Sequence, residues 1–391
     1  MKVLNVLHIS PMGRIGGIES RLIDLFNQHI PGVQFFLFSP TTIPPRWVKI
    51  LIKLKIPFLQ SINERFWEDE LVAYVRQNKI DIAHFHHPLV KGVQALKIIG
   101  VKAVIYHDHG ASWYGSPIVA RERSEIVRAI DGIIAVSEAS RIMIMERFNA
   151  PKSLINVIHN GIDFKHLLPH KTITKPRGKK VVATVCRLKP FKGVDSFIKA
   201  YPFVLERRKD VVFWIIGNGS ERVSLETLTK QLGISNQVRF WGFQSNVGDF
   251  LRAADLFVLP SYREPFAGAL IEAGYIAKPS IAANVDGNPE IILHNQTGIL
   301  IDPTISVESK NPMDSPGWVV DGHKQTIRRP LALDPCRLSH FILHMLNNPE
   351  RSHQIGLQAR LRVKEYFNVN TYGKNLVAYY RKLLDGRRPT C

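Results

Sequence analysis

The feature that most constrains the fold of this chain is a regular alternation of apolar, β-rich segments with longer segments of helical periodicity. In the first half, the β-rich segments are 3–10, 33–39, 80–86, 101–107 and 132–137. Intervening segments such as 64–77 carry apolar residues at helical spacing. Strand, helix and strand in repetition predict a parallel sheet with both faces covered by helices. We therefore expect an α/β, doubly wound, Rossmann-like domain.

The same pattern starts again in the second half of the chain. Its β-rich segments are 181–188, 211–217, 238–243, 255–261 and 279–284. Residues 160–180, between the two sets, are rich in Pro, Lys and turn formers and predict a hinge linker. With 391 residues, 45% of them hydrophobic, the chain can build two cores. We expect an N-terminal domain over 1–165 and a C-terminal domain over 166–367, facing each other across a cleft.

The net charge of +19 predicts an anionic partner: nucleic acid, a membrane surface or a phosphorylated small molecule. The basic residues are spread along the chain, and no zinc-finger, basic-zipper or RNP-type signature occurs, so nucleic acid is not predicted. The three cysteines lie far apart without C-x-x-C spacing, which indicates neither a disulfide framework nor a zinc site. We expect a cytoplasmic protein with no membrane span, since no run of eighteen uncharged apolar residues occurs.

Residues 44–58 predict a short basic amphipathic helix bounded by prolines. The helix would carry an apolar face and an adjacent cationic face. Such a helix could lie on an anionic membrane surface through residues 46–56, or it could be a core helix with a solvated lysine edge, and both interpretations stay open. The two faces are formed by Trp47, Ile50, Leu51 and Leu54 and by Arg46, Lys49 and Lys53.

Ligands of open parallel sheets bind beyond the carboxyl ends of the strands, so the loops that follow the strands are the candidate sites. After the first strand, "PMGRIGGIES" has Gly16 and Gly17 where backbone can approach a ligand and the next helix can offer its N–H groups to an anion. The spacing is not that of a dinucleotide site, and a structural turn is the alternative. After the first strand of the second half, Arg187 and Lys192 share one short loop before a helix, an arrangement suited to a diphosphate.

Two carboxylates flank the segment "REPFAGALIEA" at 263–273. Glu264 lies in a loop after a strand, and Glu272 lies two turns along the following helix. The backbone amides at the start of that helix lie between them. The two carboxylates can accept hydrogen bonds from hydroxyl groups, which sugar rings and ribose supply.

A series of motifs extends in order along the chain. The motifs are "GGIES", "IDIAHFHH", "YHDHG", "IAVSEASR", "VIHNGID", "CRLKPFKG", "IIGNGSE", "FWGF", "AADLFVLPSYREPFAGALIEA" and "DGNPEII" with "TGILIDP". This ordered series resembles the retaining nucleotide-sugar glycosyltransferases of family 4 (glycosyl transferases group 1). The resemblance runs over 3–302 and 334–383 and implies the GT-B fold of two facing Rossmann-like domains.

The resemblance also implies roles for matching residues. Arg187 and Lys192 would clamp the donor diphosphate, Glu264 would bind hydroxyls of the transferred sugar, and Glu272 would hold the ribose. His107 would reach the donor sugar from the N-terminal domain, and the helix at 368–386 would return to that domain. The remaining donor-binding residues would be Gly16 and Gly17 near the diphosphate, Gly217 and Gly219 beside the base, and the amides of Phe266, Ala267 and Gly268.

The chain departs from the family pattern at four places. Cys186 and Ala267 stand where the family usually has glycine, and "DGNPE" at 286–290 stands where two glycines are frequent. We expect these small changes to alter loop shape without loss of chemistry. The segment 303–332 is predicted to be an insertion, and its length favours function or disorder over a plain connection.

The resemblance implies an enzyme that transfers a sugar from a UDP-, GDP- or ADP-sugar to a sugar or lipid-linked acceptor with retention of configuration. Synthesis of polysaccharide, lipopolysaccharide or glycolipid at the inner face of a membrane is the expected context. We expect no cofactor or metal, because no D-x-D motif ends a strand and the Arg/Lys pair can stabilise the leaving diphosphate. A non-hydrolysing sugar-nucleotide epimerase and a non-catalytic sugar-nucleotide binding protein are the alternatives.

Histidines on two neighbouring strand ends would suit a metal by position, since alternate residues share one face of a sheet. They are His84, His86, His87, His107 and His109. No carboxylate or cysteine completes a known ligand spacing, so no metal site is predicted.

Overall fold

The computed structural model describes residues 3–13, 16–63, 66–113, 116–307 and 317–386. The chain divides into two compact units. The first comprises Met1–Ser112, Ser116–Ile162 and Val369–Cys391, and the second comprises Trp113–Gly115 and Asp163–Asn368. The break at 162–163 lies close to the boundary expected at 165–166.

The first unit contains a seven-stranded parallel sheet with the strand order β3-β2-β1-β4-β5-β6-β7. All five β-rich segments of this half form strands, whereas β3 and β7, three residues each, are too short for a sequence pattern to reveal. The strands are β1 Leu4–Ile9, β2 Val33–Ser39, β3 Phe58–Gln60, β4 Ile82–Phe85, β5 Ala103–Asp108, β6 Gly132–Ala135 and β7 Ile155–Val157.

Helices cover both faces of this sheet, and one hydrophobic core lies on each face. Because both faces are buried, the central strands are apolar along most of their length instead of alternating with polar residues. The helices are α1 Gly17–Phe26, α2 Pro45–Lys53, α3 Trp67–Gln77, α4 Val90–Ile98, α5 Pro117–Ala129 and α6 Glu138–Phe148.

Helix α2 settles which face of the basic segment meets the protein. Pro45 begins the helix, where its missing N–H is not needed. Trp47 and Leu51 are buried in the core, with 7% and 0% of their surface exposed. The apolar face therefore packs into the core, as in the core-helix interpretation, and the Trp47 ring cannot also contact a membrane. The face left in solvent carries Arg46, Lys49, Ile52 and Lys53.

The second unit contains a six-stranded parallel sheet with the order β10-β9-β8-β11-β12-β13. Its strands are β8 Lys180–Val185, β9 Val211–Ile216, β10 Val238–Gly242, β11 Leu256–Leu259, β12 Ser280–Ala283 and β13 Ile299–Ile301. Its helices are α7 Val194–Arg207, α8 Arg222–Gln231, α9 Val247–Ala253, α10 Gly268–Tyr275, α11 Asn288–Ile291, α12 Pro335–Asn347 and α13 Pro349–Tyr366.

The segment predicted to be a hinge linker is bound to the second unit from Asp163 onward. The N–H groups of His170 and Lys171 donate to the Asp249 carboxylate at 3.2 and 3.0 Å. Lys175 forms an ion pair with Asp255 at 3.0 Å. Composition indicated a loop here correctly, but turn-forming residues do not show whether a loop is free or anchored.

Helix α14 (Val369–Asp385), which the resemblance placed on the N-terminal domain, belongs to the first unit. The Tyr380 hydroxyl lies 2.6 Å from Nδ1 of His84. The Tyr379 hydroxyl lies so close to Gly132 that a Cβ at this position would be only 2.1 Å away, so the contact needs glycine.

The predicted insertion at 303–332 contains two short antiparallel ladders in its described parts. Strand β14 (Ile305–Ser306) pairs with β17 (Leu331–Ala332), and β15 (Val319–Val320) pairs with β16 (Ile327–Arg328). The first ladder brings the two ends of the insertion together. Residues 308–316 lie outside the described residues.

Candidate functional site

The loop after β8 holds Lys192 in a rigid turn. The chain forms a 3-10 turn at Pro190–Lys192 and enters α7 through Gly193, whose φ is 62°. A Cβ on Gly193 would lie 2.3 Å from the carbonyl oxygen of Pro260, which follows β11. Only glycine tolerates both this backbone conformation and this close approach. The turn therefore fixes where the Lys192 side chain leaves the backbone.

Lys192 and Glu264 form a largely buried ion pair at the carboxyl ends of neighbouring strands. The Lys192 Nζ lies 2.5 Å from Oε2 of Glu264, and their side chains are 14% and 10% exposed. The two loops meet because β8 and β11 are adjacent in the sheet. The pair places a fixed cation beside a fixed hydrogen-bond acceptor. Such a site can bind a phosphate and an adjacent hydroxyl of one ligand.

Arg187 lies on the same loop and is exposed to solvent. Its proximity to the pair is evident from Cys186, since burial raises the pKa of that thiol to about 12. The charges of Lys192 and Arg187 lower this pKa, and the charge of Glu264 raises it. The structure therefore gathers three predicted site residues, Arg187, Lys192 and Glu264, around Cys186.

The backbone of Glu264 is held on both sides by the loop after β12. The Glu264 N–H donates to Oδ2 of Asp286 at 2.8 Å, and the Gly287 N–H donates to the Glu264 carbonyl at 3.1 Å. Asp286 is 1% exposed, and burial raises its pKa to about 6 against the lowering effect of the hydrogen bonds it accepts. Sequence reasoning missed Asp286 as a site residue. The available signal was an acid in "DGNPE" where glycines are frequent.

The glycines of the 217–219 loop are required by packing against the loop that follows β8. Gly217 has a φ of 134°, and a Cβ there would lie 1.8 Å from the Cys186 carbonyl oxygen. A Cβ on Gly219 would lie 2.2 Å from the Leu188 carbonyl oxygen. Each glycine therefore supports the shape of the Arg187 loop. Contact of Gly217 and Gly219 with a nucleotide base stays a prediction.

Helix α10 begins at Gly268, shortly after Glu264 in the chain. Ala267 is the N-cap residue with a φ of −82°, a conformation that alanine adopts without strain, and Gly268 is the first helical residue. The first N–H groups of a helix lack acceptors within it and can bind an anion or a hydroxyl. Phe266 is buried edge-on against Phe367, with ring centroids 5.6 Å apart. The Phe266 side chain thus anchors the segment 266–268, and the backbone of this segment leads into the helix.

Glu272 lies further along α10 and is 17% exposed in its side chain. Its Oε1 lies 4.0 Å from Nε2 of His166, in the 3-10 turn at Phe164–Leu167. The predicted contact of Glu272 with ribose hydroxyls stays a prediction.

Gly16 and Gly17 form the start of α1 in the first unit. Gly16 is the N-cap residue, and a Cβ there would lie 2.6 Å from a carboxylate oxygen of the buried Glu19. Nothing lies within 4 Å of the Cβ position of Gly17. A side chain at position 16 would require the Glu19 carboxylate to shift. The predicted diphosphate contact of both glycines stays a prediction.

His107 belongs to a pile of histidine rings that runs across β1, β4 and β5. Its ring lies 4.0 Å from that of His109 and 5.2 Å from that of His84, by centroids. His8 Nδ1 lies 3.0 Å from His86 Nε2, and His86 Nδ1 lies 2.8 Å from His109 Nε2. Sequence reasoning missed His8, which the sheet register places beside His84. The pile therefore consists of four histidines that the sequence placed at two strand ends and of His8, which was not predicted. The four are His84, His86, His107 and His109.

Burial keeps these rings uncharged. It lowers the pKa of His8 and of His107 to about 3, and it lowers the pKa of His84, His86 and His109 well below the usual value. Within the described residues, both ring nitrogens of His107 and the Nε2 atoms of His8 and His84 have no hydrogen-bond partner. A neutral ring nitrogen of this kind can donate to, or accept from, a polar group of a ligand.

Two histidine triples bring ring nitrogens within 4.8 Å of one another, His8/His84/His86 and His86/His107/His109. This spacing would admit a metal ion after small ring movements. The expectation of no metal therefore stays a prediction.

Two α/β units, each built on a doubly wound parallel sheet, define the GT-B class of glycosyltransferase folds. Over 98% of this chain and 100% of the other, the structure superposes on HepE of Anabaena in complex with UDP, with a TM-score of 0.75 and 21% identity. This likeness shows the fold. In the described residues, no helix is long and apolar enough to cross a membrane.

The chain belongs to the group 1, family 4 glycosyltransferases. The family described as Glycosyl transferases group 1 matches residues 169–311, and Glycosyltransferase Family 4 matches residues 15–166. Among curated relatives, the 2-deoxystreptamine N-acetyl-D-glucosaminyltransferase of Niallia circulans is 36% identical over 64% of this chain. The lipopolysaccharide core biosynthesis glycosyltransferase LpsD of Rhizobium meliloti is 34% identical over 32% of this chain. The matches span 57% and 36% of the lengths of these two relatives.

Proposed function

We propose that this protein transfers a hexose from a nucleoside-diphosphate sugar to an acceptor, with retention of the anomeric configuration. The observation that carries the proposal is the buried Lys192–Glu264 pair, with Arg187 on the same loop. The family membership of the chain supports the reaction class. HepE, which has the same fold, is in complex with UDP, and this supports testing UDP-sugars first.

Departure of a nucleoside diphosphate from a sugar builds negative charge on phosphate oxygens and positive charge on the anomeric carbon. Lys192, Arg187 and the N–H groups at the start of α7 would stabilise the phosphate charge. Glu264 would accept a hydrogen bond from a sugar hydroxyl and so orient the sugar over the cations. These fixed cations supply the charge that a divalent metal supplies elsewhere, so we propose that transfer needs no metal.

The other donor contacts follow from the family roles. The amides from Phe266 to Gly268 would bind near the sugar, Glu272 would bind the ribose, and Gly217 and Gly219 would line the base. We propose Gly16, Gly17 and His107 as the contribution of the first unit to the donor.

We propose a lipid-linked or lipopolysaccharide-type acceptor at an anionic membrane surface. Arg46, Lys49 and Lys53 are exposed along α2 around the exposed Ile52, and they match anionic headgroups in charge. The similarity to LpsD supports this choice of acceptor. Charge reversal at Lys49 and Lys53 should weaken cosedimentation with phosphatidylglycerol vesicles, whereas the same change at the exposed Lys209 and Lys230 of the second unit should not. Equal binding by both double variants would refute the membrane contact.

The proposed reaction is tested by donor screening followed by product analysis. A donor at a hundred times its dissociation constant should stabilise the protein by about 2.7 kcal/mol in thermal unfolding. With that donor and an acceptor extract, NMR should show a new glycosidic bond with the anomeric configuration of the donor, in the presence of EDTA. The variant Lys192→Met should be inactive, while Lys199→Met, at an exposed lysine of α7, should be active. An epimerised sugar nucleotide, or an inverted product, would contradict the proposal.

A further inference from the structure

We propose that Asp286 is a positioning residue for Glu264, and that the hairpin of β15 and β16 in the insertion holds Asp286 in place. The inference rests on the proposed function of Glu264 as the residue that binds the transferred sugar. It assigns a role to the insertion, for which sequence reasoning left function and disorder open.

The Asp286 carboxylate joins three separate segments of the second unit. Its Oδ2 accepts a hydrogen bond from the Glu264 N–H at 2.8 Å. Its Oδ1 accepts from the Val320 N–H at 2.7 Å and from Nε1 of Trp113 at 3.1 Å. Trp113 belongs to the second unit and is fully buried. A carboxylate has about four lone-pair sites, so it can accept from all three donors at once.

The hairpin also forms a hydrogen bond with the backbone of Asp286. The Asp286 N–H donates to the Val320 carbonyl at 2.9 Å, and Val285 forms an antiparallel bridge with Asp321. Val319 and Val320 are completely buried. The inserted hairpin is therefore part of the packed structure beside the site.

The hairpin is braced internally as well. The Asp321 carboxylate accepts from Nε of Arg328 at 2.9 Å and from the backbone N–H groups of His323 and Lys324 at 3.0 and 2.9 Å. These bonds link the turn to β16. A braced hairpin can hold Asp286 in one orientation.

The backbone conformation of Asp286 is one that glycine adopts more readily than a residue with a side chain. Its φ is 50°, in the left-handed region that favours glycine. A residue with a side chain is strained in this conformation relative to glycine. Glycine would avoid this strain but would leave three buried N–H groups without an acceptor. The hydrogen bonds of the carboxylate offset the strain.

The result is that Glu264 is held at three points. Asp286 accepts from its N–H, Gly287 donates to its carbonyl, and Lys192 binds its carboxylate. Site residues must be held to within about 0.5 Å for full activity. Without Asp286, the backbone of Glu264 loses one of these points, so its carboxylate should move relative to the sugar.

Asp286→Asn tests the link to Glu264. An amide can keep its oxygen toward Val320 and Trp113, but its NH₂ cannot accept from the Glu264 N–H. Amide hydrogen exchange in the peptide that contains Glu264 should rise at least tenfold in Asp286→Asn. Trp113→Phe, which removes a different donor to Asp286, should leave that exchange within a factor of two of wild type.

Excision of 307–330 with an Asn-Gly replacement tests the hairpin. The β14–β17 ladder already brings Ser306 and Leu331 together, so a two-residue turn can close the gap. The excised protein should show the same rise in exchange as Asp286→Asn. In both, the kcat should fall roughly 10- to 100-fold while nucleoside diphosphate binding is unchanged, because Lys192 and Arg187 are intact.

Unchanged exchange at Glu264 in folded Asp286→Asn, or in the folded excision variant, would overturn the inference. The exchange readout needs no donor or acceptor. A wild-type protein that binds and transfers no sugar would therefore refute the proposed function. The exchange at Glu264 would still decide whether Asp286 and the hairpin position this residue.

Discussion

Acidification should destabilise the first unit through its buried histidines. His8 is fully buried, and burial lowers its pKa to about 3 from 6.5. Between these two pH values, His8 is protonated in the unfolded chain but neutral in the folded chain. The stabilising contribution of the neutral ring is therefore fully present above pH 6.5 and is lost as the pH falls through this window. The same sign applies to His107 and to the three other rings of the pile.

The magnitude follows from the width of the window. Each pH unit below 6.5 costs about 1.4 kcal/mol per histidine, so at pH 5 His8 and His107 together remove about 4 kcal/mol. The other rings add to this loss. A loss of about 4 kcal/mol is a substantial part of a domain stability of roughly 5–15 kcal/mol.

Urea unfolding, followed by circular dichroism at pH 7 and pH 5, measures this loss. In the variant His8→Gln, the difference between the two pH values should shrink by about 2 kcal/mol. His353→Gln, at an exposed histidine of α13, is the matched control and should leave the difference unchanged. Equal stability of the wild type at both pH values, or an unaltered difference in His8→Gln, would refute the reasoning.

Two further predictions concern stability without ligand. Lys192→Met should destabilise the second unit by about 3 kcal/mol, because it leaves the buried Glu264 carboxylate unpaired, and the double variant with Glu264→Gln should recover much of this loss in urea unfolding. Full additivity of the two changes would contradict the pairing. Gly217→Ala should lower the melting temperature by several degrees because of its φ of 134° and the carbonyl 1.8 Å from its Cβ position, whereas Gly268→Ala, with open space around it, should not. Equal melting temperatures would show that the loop relaxes.

The fold could be predicted because buried parallel strands leave a continuous apolar pattern between helices. The meeting of Lys192 with Glu264 could be predicted for a related reason: both follow strands, and loops at the carboxyl ends of neighbouring parallel strands converge. What escaped prediction depends on register and packing. His8 joins the histidine pile only through its pairing with His84. Asp286 acts through partners 22 and 34 positions away.

The basic helix shows another limit. Its amphipathic pattern indicated one apolar face, but a pattern cannot show whether that face meets a core or a membrane. The structure packs Trp47 and Leu51 inward.

Calorimetric titration of ligand pairs tests the central claim most directly. A nucleoside diphosphate and the matching nucleoside-diphosphate sugar should be titrated into wild type, Lys192→Met and Glu264→Gln. The account predicts that Lys192→Met weakens both ligands by a similar factor, while Glu264→Gln weakens only the sugar-bearing ligand. Two results would contradict the account: equal weakening of both ligands by Glu264→Gln, or an unchanged diphosphate affinity in Lys192→Met. Either result would show that Lys192 does not bind the diphosphate while Glu264 binds the sugar.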